Sequence, residues 1–193
     1  MTPFSVISTE LDPSPDGVTH GQITWYDYQG KPSSNVAGTD RLPNVIARVV
    51  PDGTNWVTTY TYIQRNAIGN VTNQIEKWAH LGTTYYRTNR FEYDGTTGMD
   101  LLKHYGPDGT VKTSYTYNSG SYPRLPLTIT DAVGVTTKTY TSLANGNQLS
   151  TVTTPSGLVT TYTYTSGFVT KVVDSVSGTP IRVLPQLKTP ETG

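Results

Sequence analysis

Six glycines cut this chain into steadily shortening intervals: Gly53, Gly82, Gly109, Gly134, Gly157 and Gly178, spaced by 29, 27, 25, 23 and 21 residues. Behind most of them runs a segment in which Thr and Tyr alternate. These segments are Thr58-Thr59-Tyr60-Thr61-Tyr62, Thr113-Ser114-Tyr115-Thr116-Tyr117, Thr137-Lys138-Thr139-Tyr140 and Thr160-Thr161-Tyr162-Thr163-Tyr164. A period in the twenties with a recurring strand motif means that one supersecondary unit is laid down again and again. Such an array builds extended surface more readily than a closed catalytic pocket.

The turns carry a physical reason for their sequence. Pro15-Asp16-Gly17, Pro51-Asp52-Gly53 and Pro107-Asp108-Gly109 are copies of one triplet, and Asp131-Ala132-Val133-Gly134 and Thr154-Pro155-Ser156-Gly157 are variants of it. Pro presets φ at the second turn position, and Gly accepts the conformation that follows. Gly17, Gly53, Gly109, Gly134 and Gly157 are therefore the expected structural turns. A second turn follows each strand, at Gly69, Gly98, Gly120, Asn145-Gly146 or Ser166-Gly167, and a return strand such as Gln148-Leu149-Ser150-Thr151-Val152-Thr153 closes the unit. Turn, strand, turn, strand predicts an array of antiparallel β-hairpins. Gln74 to Leu81 reads as strand with a loop, a short helix ended by Gly82 being the alternative.

Composition agrees with an all-β fold. Thr occupies 35 of the 193 positions, and Thr, Tyr and Val suit a pleated, half-buried surface. The repeat array is expected over residues 17–178, with an irregular insertion at about 29–45 where Gly30, Pro32, Gly38 and Pro43 interrupt the alternation. Residues 1–16 read as an extended lead-in, and the Pro-rich residues 179–193 as an extended tail. Net formal charge is zero without a basic stripe, which argues against nucleic acid as a partner. The chain has no cysteine, so neither disulfides nor thiolate metal sites can form. No run reaches the roughly 20 apolar residues of a helical membrane span, and the N-terminus carries no signal-peptide pattern.

No catalytic constellation converges in the sequence. His20, His80 and His104 form no metal pair at helical spacing, and Asp100 with His104 sits in a loop-to-strand segment where a four-residue offset has no fixed meaning. The expectation is a protein without catalysis of its own, without cofactor and without metal. The aromatic stripes are the features open to interpretation. Tyr60, Tyr62, Tyr115, Tyr117, Tyr140, Tyr162 and Tyr164 either pack across strands to hold the sheet or present rings to a sugar. Trp25, Trp56 and Trp78 are less regular, and read as sheet plugs or a local binding surface. Regular recurrence favours packing, because a binding site needs only one or two copies.

Tyr26-Asp27-Tyr28-Gln29-Gly30 and Phe91-Glu92-Tyr93-Asp94-Gly95-Thr96-Thr97-Gly98 resemble the Tyr-Asp-x-x-Gly signature of YD repeats, also called Rhs repeats. The resemblance covers roughly residues 15 to 178. Several strands depart from it, with Tyr-Thr, Tyr-Asn or Tyr-Ile in place of Tyr-Asp. It implies a twisted or spiralling sheet that is structural in itself, as in bacterial Rhs proteins, insecticidal toxin-complex shells and teneurins. It also implies an extracellular or cell-surface location. The expected partners are further YD repeats of a longer chain, or copies of this one in an oligomer or filament. The reading from a different class is an adhesin or carbohydrate-binding module that uses the exposed Tyr and Trp on glycans.

Overall fold

The computed structural model describes residues 6–18, 21–33, 38–52, 55–117, 124–144, 146–176 and 180–183. Among these there are fourteen strands and no helix. They fall into two compact units, Met1–Thr110 and Val111–Gly193. The first holds β1 (Thr9–Leu11), β2 (Ile23–Tyr28), β3 (Pro43–Asp52), β4 (Asn55–Arg65), β5 (Val71–His80), β6 (Thr83–Tyr93) and β7 (Leu101–Tyr105). The second holds β8 (Val111–Tyr117), β9 (Pro126–Thr130), β10 (Val135–Leu143), β11 (Gly146–Thr153), β12 (Val159–Thr165), β13 (Phe168–Asp174) and β14 (Pro180–Val183). Within each unit the strand order is the chain order, and each strand pairs antiparallel with the next. Each unit is a meander.

The turns follow from the sequence in physical detail. Around Pro107-Asp108-Gly109, the Gly106 N–H donates to the Thr110 carbonyl at 2.9 Å and the Gly109 N–H returns to the Gly106 carbonyl at 2.9 Å. Gly109 has φ 74°, a left-handed conformation that costs glycine little. The same bond pattern closes Asn66 to Asn70 and Thr154 to Leu158. Gly134 is required for a further reason: a Cβ there would lie 2.7 Å from the Cβ of Pro155. Gly17 and Gly157 also have positive φ between strands, whereas Gly53 lies outside the described residues. Leu81-Gly82 and Ser166-Gly167 make two-residue hairpin turns in which both residues have positive φ, the primed geometry that matches strand twist.

Three segments gain structure where Pro and Gly content predicted little. Thr9–Leu11, inside the lead-in, pairs with Ile23–Trp25 of β2. The irregular connection after β2 ends at Leu42, and Pro43–Val45 already belong to β3. Pro180–Val183 of the tail pairs with β13, and residues 184–193 lie outside the described residues. Proline is compatible with a strand at its first residue, which is where Pro43 and Pro180 stand. Gln74 to His80 is strand, part of β5.

One irregularity recurs along the chain. In β2–β3, β4–β5, β6–β7, β8–β9, β10–β11 and β12–β13 the pairing skips a single residue, always on the return strand. The skipped residues are Asn44, Thr72, Leu102, Leu127, Ser150 and Thr170. The intervening pairs β3–β4, β5–β6, β9–β10 and β11–β12 run without a skip, whereas β13–β14 skips Ile181. A β-bulge bends its strand and raises local twist. These hairpins therefore bend at equivalent points, while the leading strands keep strict alternation.

A single sheet layer has nothing to bury its faces against. Among the described residues only Tyr28, Thr24 and Gly106 are buried, the first two at 6% and 4% exposure, and no side chain is fully enclosed. The tertiary structure rests on the hydrogen-bonded ladder and on side chains that pack along the sheet surface.

Candidate functional site

The bulges define one position on each leading strand: Tyr28, Arg65, Tyr93, Tyr117, Tyr140 and Tyr164, each paired just beyond the skipped residue. Five of the six are tyrosine. The Tyr28 hydroxyl donates to the Ile7 carbonyl at 2.7 Å, Tyr140 to Pro126 at 2.8 Å and Tyr164 to Leu149 at 2.7 Å. Pro126 is the residue opposite Tyr117, and Leu149 the residue opposite Tyr140. Each of these two phenols thus ties its strand to the backbone facing the bulge-position tyrosine of the hairpin before it. A buried phenol needs such a partner. Burial also pushes the Tyr28, Tyr93, Tyr140 and Tyr164 hydroxyls above the ordinary tyrosine range.

Within the second unit, cross-strand partners share a face and alternate residues leave it. Tyr115, Tyr117, Tyr140, Tyr162 and Tyr164 all point to one face and are half-buried. The other face exposes Thr116, Thr137, Thr139, Thr161, Thr163 and Thr165. There, Thr116 and Thr128 share a hydroxyl contact at 2.6 Å, as do Thr139 and Thr151.

In the first unit the tyrosines named from sequence part company with the repeat. On β4 the bulge-position residue is Arg65, an odd number of residues from Tyr60 and Tyr62, so these two lie on the reverse face. They stack on each other at 5.9 Å, with the Lys77 ammonium 5.7 Å from the Tyr60 ring centre. The register joins Trp25, Ala47, Tyr60, Lys77 and Tyr86 in one cross-strand row on that face. Trp56 shares it and is 70% exposed, and Tyr86 is 64% exposed. Trp78 sits on the face of Arg65, stacked on Tyr85 at 5.6 Å. The sequence singled out neither Tyr28 and Tyr93 as members of the repeat line nor Tyr86 as a member of the row. The register supplies both.

On that same face as Arg65 lies a depression of about 370 Å³, lined by Ile46, Arg48, Thr59, Thr61, Ile63 and Gln74. Arg48 donates through Nε to Thr24 Oγ1 at 3.2 Å. Three titratable groups elsewhere, His104, Asp94 and Glu92, are engaged in local contacts. His104 stacks on Phe91 at 4.8 Å and its Nε2 lies 3.1 Å from Asn89 Oδ1. Asp94 accepts from the backbone N–H groups of Thr97, Met99 and Asp100, bonds that hold its carboxyl far below the usual range. Glu92 is lowered chiefly by the Tyr105 hydroxyl, at 2.8 Å. His20 lies outside the described residues, and no group of three or more potential metal ligands occurs among those described. No helix among them is long and apolar enough to cross a membrane.

No protein-family model matches the chain, and neither does any curated protein. Among solved structures it is similar to a porin-like protein from Bacteroides uniformis, with 18% sequence identity and a TM-score of 0.33. That match covers 70% of this chain, which spans 56% of the other.

Proposed function

We propose that this chain is a structural β-sheet module of YD or Rhs type, one stretch of an extracellular wall or self-assembling scaffold without catalysis of its own. The observation that carries the reading is the recurrence of tyrosine at five of the six bulge positions, of which Tyr140 and Tyr164 tie their strands to the preceding hairpin, in a sheet whose described residues enclose almost nothing. A sheet with uncovered faces and unpaired edges is completed by more of itself, either further repeats or further copies. Size-exclusion chromatography with light scattering across a concentration series tests this. Species that grow with concentration are expected, and a monomer near 21 kDa at every concentration overturns assembly between copies.

A second reading draws on the reverse face of the first unit. The row Trp25, Tyr60 and Tyr86, with exposed Trp56 beside it, offers apolar rings next to hydrogen-bonding side chains, as sugar recognition requires. Protection of these rings from quenching by an oligosaccharide on a glycan array would favour an adhesin.

A further inference from the structure

The reverse face of the first unit is arranged about its own middle strand. Its cross-strand row of Trp25, Ala47, Tyr60, Lys77 and Tyr86 runs over β2 to β6, with β4 at the centre. Beside it the register draws a second row, Asp27, Val45, Tyr62, Ile75 and Thr88. Trp56 stands on β4 itself, four residues before Tyr60 and on the same face. Trp25, Trp56 and Tyr86 are 38%, 70% and 64% exposed. Large rings left open together on one face mark an interaction surface.

Each row is complementary to its own reverse. A half-turn about an axis along β4 brings Tyr60 and Tyr62 against their own copies. It sets Ala47, the smallest side chain of the first row, against Lys77, the longest, and Trp25 against Tyr86. In the second row it sets Val45 against Ile75 and Asp27 against Thr88. No two like charges oppose each other in these rows. The one ammonium meets the notch at Ala47 between two rings, where cation–π attraction offsets part of its desolvation. Lys77 already stands 5.7 Å from the Tyr60 ring centre of its own chain. Strands that stay aligned across the contact are a packing that two sheets favour, and a self-complementary patch is what a twofold dimer requires. The area is sufficient as well. β3 to β6 are 10, 11, 10 and 11 residues long. With β2 they cover roughly 750 Å² at ordinary strand spacing, close to the roughly 800 Å² per partner of a stable interface. The ends of the strand order serve edge pairing poorly, since β1 has 3 residues and β14 has 4, beginning at Pro180.

We propose that this face is the contact between two copies of the chain, packed face to face about a twofold axis along β4. The inference rests on the scaffold reading and names its interface. Sedimentation and light scattering of the full chain over a concentration series should show the mass rising to twice 21.1 kDa. Trp56→Arg sets two like charges against each other on the axis and should weaken association roughly thirty-fold or more, the scale of a central tryptophan. Its circular dichroism should stay native, because Trp56 is mostly exposed. Cysteine substitution locates the contact independently, since the chain has none of its own. Thr58→Cys, on β4 and the same face, should be joined between copies by a short bis-maleimide. Thr163→Cys, exposed on the second unit, should not. Unchanged association in a folded Trp56→Arg protein, or no cross-link at Thr58→Cys in a chain that assembles, would overturn this interface and leave the scaffold reading standing. A chain that is monomeric at every concentration would overturn both. Shielding of Trp56 fluorescence by an oligosaccharide in that monomer would give the face to a glycan instead.

Discussion

Tyr140 and Tyr164 each combine a ring laid along the sheet with a hydroxyl that ends on a main-chain carbonyl, at 2.8 and 2.7 Å. Removing only the oxygen leaves that carbonyl short of a donor and keeps the ring. Tyr140→Phe and Tyr164→Phe should each lower stability by about 1 kcal/mol in urea unfolding. Tyr62→Phe, on the reverse face of β4, should stay within about 0.5 kcal/mol of the parent. Burial of the same phenols sets an alkaline limit. The folded phenols are raised above their unfolded value of about 10, so this stabilisation is complete below that pH and fades as pH climbs through the raised values. Tyrosinate absorbance should show a late-titrating class, and unfolding should accompany its ionisation. A single titration at the free-phenol value would contradict the buried line.

The hairpin was legible in the sequence as far as its turns and its antiparallel sense. Asp-Gly turns and two-residue alternation have local causes, and the structure places strands where they direct. The face of each aromatic was not legible. β4 and β6 run for 11 residues against 7 for β8 and β12, so a Thr-Tyr motif at a similar distance from its turn stops short of the bulge in β4. Tyr60 and Tyr62 resemble Tyr162 and Tyr164 in sequence and differ from them in role for that reason. Bulges have no residue signature here, since Asn, Thr, Leu, Leu, Ser and Thr occupy the skipped positions. Arg65 is the element-scale exception: its Nη1 donates to Gly69 O at 3.0 Å, while its buried Nε has no partner. Arg65→Tyr should stabilise the protein by about 1 kcal/mol, by removing an orphaned donor and offering a phenol to Pro43, the residue opposite Tyr28. Thermal and urea unfolding measure it, and a loss of stability would show that β4 is not an interrupted copy of the repeat.

At the scale of the molecule, two units each lay their strands down in chain order, and burial is slight throughout the described residues. Stability that is completed by association depends on concentration by mass action. Heating curves over a hundred-fold range of protein should shift their midpoint upward with concentration, and a fixed midpoint would mean that each chain's stability is its own. The tyrosine ties described above share a direction: Tyr28 reaches to Ile7, Tyr140 to Pro126 and Tyr164 to Leu149, in every case to a residue already earlier in the chain. For these three ties a ribosome releasing this polypeptide waits for no downstream acceptor. Each new hairpin can latch onto the one before it as it emerges, so folding can proceed vectorially, in step with synthesis.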